Sequence, residues 1–164
     1  MRHAKSDWNS YQEDFDRPIS RRGVADLGLI SSYFAKLQRP DCILCSPALR
    51  TKQTLEILRE TLGKPLSLIK IDFIDSLYLA SSEEIENQIA SYLKVCESVM
   101  IVSHNPGLEN LLYKIIEDKR QVNLYRKIFP TSSVYEIELE ISEIERKLTG
   151  AKITNMIRPG PLRS

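Results

Sequence analysis

The chain has 164 residues, 42% of them hydrophobic, and a formal net charge of +1, which suits one domain with a buried core. The near-neutral charge does not favour a nucleic-acid or anionic-membrane binder, and no apolar run approaches the ~20 residues of a membrane helix. The polar stretch from Arg2 to Arg17 is unlike a secretory leader. We expect one cytoplasmic domain over 1–164, with a loose tail at 158–164.

Apolar periodicity predicts alternating helices and strands. The predicted helices cover 20–38 (capped by Ser20), 46–62, 82–96 (capped by Ser81, with Glu84 completing a capping box) and a segment from 107; the predicted strands cover 42–45, 66–71, 98–102, 133–141 and 152–157. This alternation favours an α/β fold: a three-layer α/β/α sandwich whose central sheet is mostly parallel, with the late strands antiparallel at one side.

The CxxC pair of Cys42 and Cys45 lies inside the predicted buried strand. A spacing of three directs the two side chains to opposite faces, which suits neither a shared metal nor a disulfide. We therefore expect core cysteines in a reducing cytoplasm, and no metal or other cofactor.

In open α/β sheets, ligands bind beyond the carboxyl ends of the strands. Polar segments occur at these positions in the sequence. SPALRT follows the first buried strand, SHNPG follows SVMIV, and RHAKS precedes the first helix. These segments bring two arginines and two histidines to one edge: Arg2, His3, Arg50 and His104. Arginine forks match phosphate oxygens, helix N-termini favour anions, and a neutral imidazole can attack phosphorus. No Walker loop is present, so the sequence does not indicate a P-loop nucleotide enzyme. No metal-ligand spacing is present either, so we expect metal-free phosphoryl chemistry.

These motifs resemble the histidine phosphatase superfamily, also called the phosphoglycerate mutase-like fold. RHAKS is similar to its Arg-His-Gly motif, with Ala4 in place of glycine, and SPALRT and VSHNPG resemble its second arginine and second histidine segments. RHAKS, DFDRPISRRG, SLYLAS and SHNPGLENL look most like the SixA-like phosphohistidine phosphatases. The short chain also fits this group, because larger relatives insert segments over the site.

The resemblance implies that His3 is a nucleophile that forms a phosphohistidine intermediate, which water then hydrolyses. Arg2, Arg50 and His104 would clamp the phosphoryl group. The remaining expected contacts to phosphate, to substrate or around the pocket are Asn9, Arg17, Ser46 and Asn105, with Lys5 at the rim.

The general acid is expected at Asp75, three residues before Tyr78, with Asp16 as the second candidate beside Arg17. A phosphohistidine leaving group needs little help from an acid, since a ring nitrogen leaves more readily than an alkoxide. A weak or absent acid would therefore fit an N–P substrate better than a sugar phosphate.

Three functions remain open from the sequence. The first is a phosphatase acting on protein phosphohistidine, such as a histidine phosphotransfer domain, with no nucleic-acid or membrane partner. The alternatives are a small-molecule phosphomonoesterase at the same site and a non-catalytic phosphoprotein-binding module.

Relatives have an apolar strand before the Arg-His pair, in the middle of the sheet, whereas only Met1 precedes it here. The first strand is thus expected to be truncated, exposing backbone groups of both neighbours and leaving a groove in the core. Either the assigned start is too late or the strand is cut to a stub, and the cost of losing a central strand favours the former.

Overall fold

The computed structural model describes residues 1–9, 11–62, 69–123, 126–142 and 147–163. In chain order these form α1 (Arg21–Phe34), β1 (Cys42–Cys45), α2 (Leu49–Leu62), β2 (Lys70–Phe73), α3 (Ser82–Tyr92), β3 (Val99–Val102), α4 (Gly107–Ile115), α5 (Arg120–Asn123), β4 (Val134–Ile141) and β5 (Leu148–Ile157). Short 3-10 turns span Asp14–Asp16, Asp75–Leu77 and Gly160–Leu162.

Strand β1 is the centre of a parallel sheet with the order β2-β1-β3. All four of its residues are buried, because helices cover both faces. Ile43 belongs to a core cluster with residues of α1 and α2, whereas Leu44 belongs to a second cluster with residues of α3 and α4. This arrangement confirms the three-layer α/β/α sandwich predicted from the alternating pattern.

Element boundaries differ from the predictions by a few residues. The Ser20 side chain caps α1 by accepting from the Gly23 N–H, but the helix ends at Phe34 rather than 38. Ser81 caps α3 by accepting from the Glu84 N–H. The predicted strand over 66–71 begins at Lys70, and its 66–68 portion lies outside the described residues.

The CxxC cysteines are both buried and free of disulfides. Burial raises the pKa of the Cys45 thiol to about 12. Such a thiol stays protonated and unreactive at neutral pH, as expected of a core cysteine.

Strands β4 and β5 form a separate antiparallel pair, and residues 1–3 connect this pair to the parallel sheet. Arg2 makes a parallel bridge to Ser103 at the end of β3, and its N–H donates to the Ser133 carbonyl next to β4. The Ser132 N–H donates to the His3 carbonyl, and the Met1 amine donates to the Ile101 carbonyl at 2.7 Å. The predicted first strand is therefore, within the described residues, a short bridge at the carboxyl end of β3.

An apolar groove of about 760 Å³ continues beyond Met1, between β3 and β4. A groove at this place is the feature expected from the short segment before the Arg-His pair. Its walls include Phe34 of α1, Val99 of β3, Leu108 of α4 and Ile137 of β4. Within the described residues, β3 pairs as a strand only with β1, and β4 only with β5, so both strands present an edge to this groove.

The tail is not loose over 158–163, contrary to the prediction. It forms the turn Gly160–Leu162, and Arg163 makes two hydrogen bonds to the buried Asp26 of α1, at 2.9 and 2.6 Å. A buried carboxylate needs such a partner, which fixes the tail against α1. Within the described part of the chain, no helix is long and apolar enough to span a bilayer.

Candidate active site

A cleft of about 600 Å³ opens at the carboxyl ends of the parallel strands, and all four residues predicted to carry the chemistry line it. Arg2 and His3 come from the bridging segment, Arg50 from the first turn of α2, and His104 from the loop between β3 and α4. Helices α2 and α4 both begin directly after strand ends at this edge. The N-terminal partial charges of the two helices add to an environment that favours an anion.

His3 is held as a neutral ring whose Nε2 is available for attack. Its Nδ1 lies 2.7 Å from the Ala4 carbonyl, which can only accept, so Nδ1 carries the proton and Nε2 has the lone pair. Burial lowers the pKa of His3 to about 3, against the opposing effect of the Ala4 carbonyl and with further lowering by the charges of His104 and Arg50. Neutral imidazole is the nucleophilic form, and it prevails here at physiological pH.

His104 stands beside His3, with ring centroids 5.1 Å apart. Its Nε2 lies 2.7 Å from Ser46 Oγ, and burial, followed by the charge of Arg50, lowers its pKa to about 3. When the Ser46 hydroxyl donates to Nε2, the ring proton sits on Nδ1, which has no hydrogen-bond partner among the described residues. In this tautomer His104, which lines the cleft, has one N–H donor that is not used within the described part of the protein.

Three arginines present buried donors without partners among the described residues. These donors are Nε of Arg2, Nε of Arg50, and both Nε and Nη1 of Arg17. Arg50 is 2% exposed and Arg17 is 7% exposed. An unsatisfied buried donor costs roughly 1–3 kcal/mol, more when charged, so this set indicates a site for an anion with several oxygens.

Asp14 currently engages two of these arginines. Its backbone carbonyl accepts from Arg50 Nη1, its Oδ2 lies 3.0 Å from Arg50 Nη2, and its Oδ1 lies 2.5 Å from Arg17 Nη2. The Tyr78 hydroxyl donates to Oδ2 at 2.7 Å. Desolvation works to raise the pKa of Asp14, but the Tyr78 hydrogen bond and the charges of Arg50 and Arg17 outweigh it and hold that pKa below its usual value. Asp14 is thus ionised and positioned as an internal phosphate mimic.

Three of the other predicted residues also come together here. Arg17 and Asn105 line the cleft, and Ser46 supports His104 from behind. Asn105 is oriented by hydrogen bonds from Nδ2 to Glu109 at 2.7 Å and to the Phe129 carbonyl at 3.1 Å, which leaves its buried Oδ1 without a partner among the described residues.

The structure does not bring Asp75, Asp16 or Asn9 into the cleft. Asp75 is exposed at the start of its 3-10 turn and does not line the cavity, because that turn directs Tyr78 instead toward the site. Asn9 is exposed, and its N–H donates to Asp7 Oδ1. Asp16 is exposed and does not line the cavity, although Asp14, two residues earlier, does.

Sequence reasoning missed Asp14 and Tyr78. The DFDR stretch has a carboxylate three residues before Arg17, a spacing at which side chains meet on one turn, and this signal could have identified Asp14. Tyr78 has no such local signal, since its contacts with Asp14 and His104 are between distant segments. Among the described residues, no group of three or more His, Cys, Asp or Glu is arranged to hold a metal ion.

Comparison with known proteins places these features in a family. The model of the histidine phosphatase superfamily (branch 1) matches residues 1–74. The protein assigned as phosphohistidine phosphatase SixA in Agrobacterium tumefaciens has a similar structure, with a TM-score of 0.79 and 30% identity over 97% of this chain and 95% of that one. The protein histidine phosphatase SixA complexed with tungstate shares the fold, with a TM-score of 0.76 and 20% identity over 99% of this chain and 97% of that one.

A curated relative of Arabidopsis thaliana, an uncharacterised chloroplast protein, is 30% identical over 118 residues. The match covers 66% of this chain, but it spans only about half of the plant protein, 54%.

Proposed function

The chain belongs to the histidine phosphatase superfamily, and from this premise we propose that it hydrolyses phosphohistidine on a protein through a phosphorylated His3. The carrying observation is that Asp14, the one carboxylate among the described residues that line the cleft, is held ionised by two guanidinium groups and a tyrosine. An ionised carboxylate donates no proton, so the site suits a leaving group that needs little acid assistance.

The first step transfers the phosphoryl group to His3. Its Nε2 lone pair forms a bond to phosphorus while the P–N bond of the substrate breaks. The substrate ring carries a proton on its other nitrogen, so the electron pair passes to the departing nitrogen and a neutral imidazole leaves. Arg2, Arg50 and His104 donate hydrogen bonds to the non-bridging oxygens, and Arg50 is released from Asp14 as the phosphoryl group takes its place. Binding therefore exchanges one anion for another on the same guanidinium.

The second step regenerates the ring. Water attacks phosphorus, the bond from phosphorus to His3 Nε2 breaks, and its electron pair returns to the ring, so that inorganic phosphate leaves and neutral His3 is restored. The Ala4 carbonyl keeps the proton on Nδ1 throughout, which holds the ring orientation for both steps.

The SixA comparisons support this choice of substrate class, and a histidine phosphotransfer domain is the proposed partner. The tungstate bound by one of these proteins is an oxyanion of the shape expected for a phosphoryl mimic. We expect the buried arginine donors of this cleft to bind tungstate.

The test is release of inorganic phosphate from a histidine phosphotransfer domain phosphorylated with phosphoramidate. Wild-type protein should release phosphate and form an acid-labile phosphoenzyme, and His3→Ala, checked for folding by circular dichroism, should do neither. Phosphate release by wild type no faster than by His3→Ala would contradict the proposal.

A small-molecule phosphomonoesterase is the second candidate, because Asp14 loses its guanidinium partners when a phosphoryl group binds. The negative charge of the bound phosphoryl group would then raise the pKa of Asp14 above its usual value, and the protonated carboxyl group could donate its proton to a departing alkoxide. A panel of sugar and nucleotide phosphates separates the candidates: turnover of esters at least tenfold above that of the phosphoprotein would favour the esterase.

A further inference from the structure

The lining of the active-site cleft is strongly basic compared with the chain as a whole. The chain has 23 Lys and Arg against 22 Asp and Glu. Among the described residues, eight Lys or Arg line the cleft, whereas Asp14 is the one acidic residue that does so. The remainder of the protein is therefore acidic, and the positive charge is concentrated where substrate enters.

The phosphoryl site accounts for only part of this charge. Arg2, Arg17 and Arg50 are the inner cations, already assigned to the phosphoryl group and Asp14. Two of the outer cations have partners within the protein: Arg163 pairs with Asp26, and Arg158 donates to the Lys127 carbonyl at 2.6 Å.

Three outer cations remain, and we call them the rim: Lys5, Arg22 and Lys127. No carboxylate within the described part of the chain forms an ion pair with them. Arg22 lies in the first turn of α1, and Lys127 lies in the segment that precedes β4, so the rim draws on different parts of the chain. Arg22 and Lys127 are exposed, which leaves both charges accessible to a partner.

Exposed apolar side chains lie among these cations. Trp8 is 74% exposed and Leu79 is 55% exposed, and both line the cleft. The Trp8 ring stacks on the Arg17 guanidinium at 3.7 Å, which holds an exposed aromatic in a defined orientation. Tryptophan and arginine beside apolar side chains are typical of the residues that dominate protein–protein interfaces.

We propose that the cleft mouth is a docking surface for an acidic protein face that surrounds the phosphorylated side chain, held by the rim and by contacts with Trp8 and Leu79. This proposal rests on the proposed function, since it describes the protein that presents the phosphohistidine. A protein face is favoured over a nucleic acid because exposed Trp8 and Leu79 line the same cleft mouth as the rim, and the chain as a whole has a net charge of only +1.

The binding experiment does not depend on catalysis. A fluorescein-labelled, glutamate-rich peptide with one unphosphorylated histidine is titrated with wild-type protein, alongside a serine-rich and a lysine-rich peptide of equal length. The glutamate-rich peptide should bind at least tenfold more tightly than the serine-rich one at low salt, and the difference should shrink as salt is raised. Trp8 is the single tryptophan of the chain, so its fluorescence reports occupancy of the mouth directly.

Charge reversal identifies the surface. Arg22→Glu/Lys127→Glu should remove the preference for the glutamate-rich peptide. The control, Lys36→Glu/Lys152→Glu, changes the net charge equally at exposed positions outside the cleft and should keep the preference. The proposal would be overturned by any of three results. The preference for the glutamate-rich peptide could be lost equally in both double variants, or wild type could bind all three peptides with equal affinity. Wild type could also bind an oligothymidylate as tightly as the glutamate-rich peptide.

A kinetic experiment separates this proposal from the proposed function. For wild type, kcat/KM should be about tenfold higher for a phosphohistidine peptide with glutamate flanks than for one with serine flanks, and the difference should lie in KM. Wild type and Arg22→Glu/Lys127→Glu should hydrolyse free phosphohistidine at rates within twofold of each other. Binding of the glutamate-rich peptide without hydrolysis of any phosphohistidine would contradict the function and leave docking supported. Hydrolysis without a flank preference would contradict docking and leave the function supported.

Discussion

The Asp14 carboxylate lies 3.0 Å from the Arg50 guanidinium, in the position where an arginine of this cleft would otherwise hold an anionic ligand. The same carboxylate reaches Arg17 through its second oxygen. In the free protein Asp14 therefore occupies part of this arginine cluster, and we expect an anionic ligand to compete with it for Arg50 and Arg17.

Asp14→Asn is expected to tighten oxyanion binding. The amide has no negative charge to compete for Arg50 and Arg17, and loss of about 1 kcal/mol of competing interaction corresponds to a roughly fivefold lower inhibition constant for tungstate. The matched control is Asp16→Asn, which removes an exposed carboxylate from the same turn and should leave the constant unchanged. A weaker or unchanged constant in Asp14→Asn would show that Asp14 does not compete with the ligand.

Asp75→Asn is expected to leave turnover within about twofold of wild type on both phosphohistidine and phosphate esters. Asp75 is exposed and lies outside the cleft, so it has no route to the leaving group. Steady-state kinetics of Asp75→Asn beside His3→Ala measure this. A loss of tenfold or more on esters alone would return Asp75 to the role of general acid.

The stability of the protein is expected to fall as pH drops below the ordinary histidine range. The pKa of each buried histidine is about 3 in the folded state, against 6.5 for an unperturbed ring, so the unfolded chain binds more protons between these values. The contribution is fully present well above pH 6.5 and is lost progressively toward pH 3, by about 2 kcal/mol per histidine between pH 7 and 5.

Urea unfolding at pH 7 and pH 5 measures this effect. Burial also lowers the pKa of the Met1 amine to about 5, which adds a loss in the same direction. His104→Gln leaves the amine and His3 in place, so the difference between wild type and this variant isolates one histidine. An equal pH dependence in the two proteins would contradict the assignment of a depressed pKa to His104.

Gly107→Ala is expected to destabilise the protein by about 2 kcal/mol or more and to impair activity. A Cβ at Gly107 would meet the Ala80 carbonyl oxygen at 2.1 Å and Ile85 Cδ1 at 2.9 Å, so the start of α4 and the neighbouring His104 must shift. Gly28→Ala in α1 is the control, since nothing lies within 4 Å of its Cβ. That change should stabilise by about 0.5–1 kcal/mol through helix propensity. Thermal unfolding and turnover of both variants test the pair.

A short β-prone extension before Met1, such as four alternating valine and isoleucine residues, is expected to stabilise the protein. It would offer backbone partners to β3 and β4 and apolar side chains to the groove between them. At ~1 kcal/mol per net hydrogen bond, the gain should reach about 3 kcal/mol or more. A Gly-Ser extension of equal length is the control, and equal melting temperatures for the two would contradict this account of the groove.

Two of the four central residues, Arg50 and His104, could be predicted because each lies at a strand end or within one helical turn of it. Arg2 and His3 were predicted from the RHAKS segment before the first helix and from the chemistry of phosphate. The order of elements was equally predictable, since the apolar run of β1 and the helical period of α1 are local signals. The antiparallel pair at one side also followed from the change of period after Ser133.

The carboxylates could not be assigned in the same way. Asp14, Asp16 and Asp75 are all acidic residues in polar turns, and only the three-dimensional path of the chain decides which one reaches Arg50. The tail was predicted to be loose because its composition has no periodicity. Its order depends on Asp26, a carboxylate buried within α1 and distant in sequence, whose need for a cation no local pattern reveals.

The segment Met1–His3 has two structural roles. The same backbone that presents the nucleophile also connects the parallel sheet to the β4–β5 pair. Local opening of this segment would withdraw His3 and uncouple the two halves of the sheet in a single event, while the cores under α1–α2 and α3–α4 remain folded. Loss of turnover on heating should then precede loss of helical signal, and a ligand on Arg2 and His3 should raise the first transition more than the second.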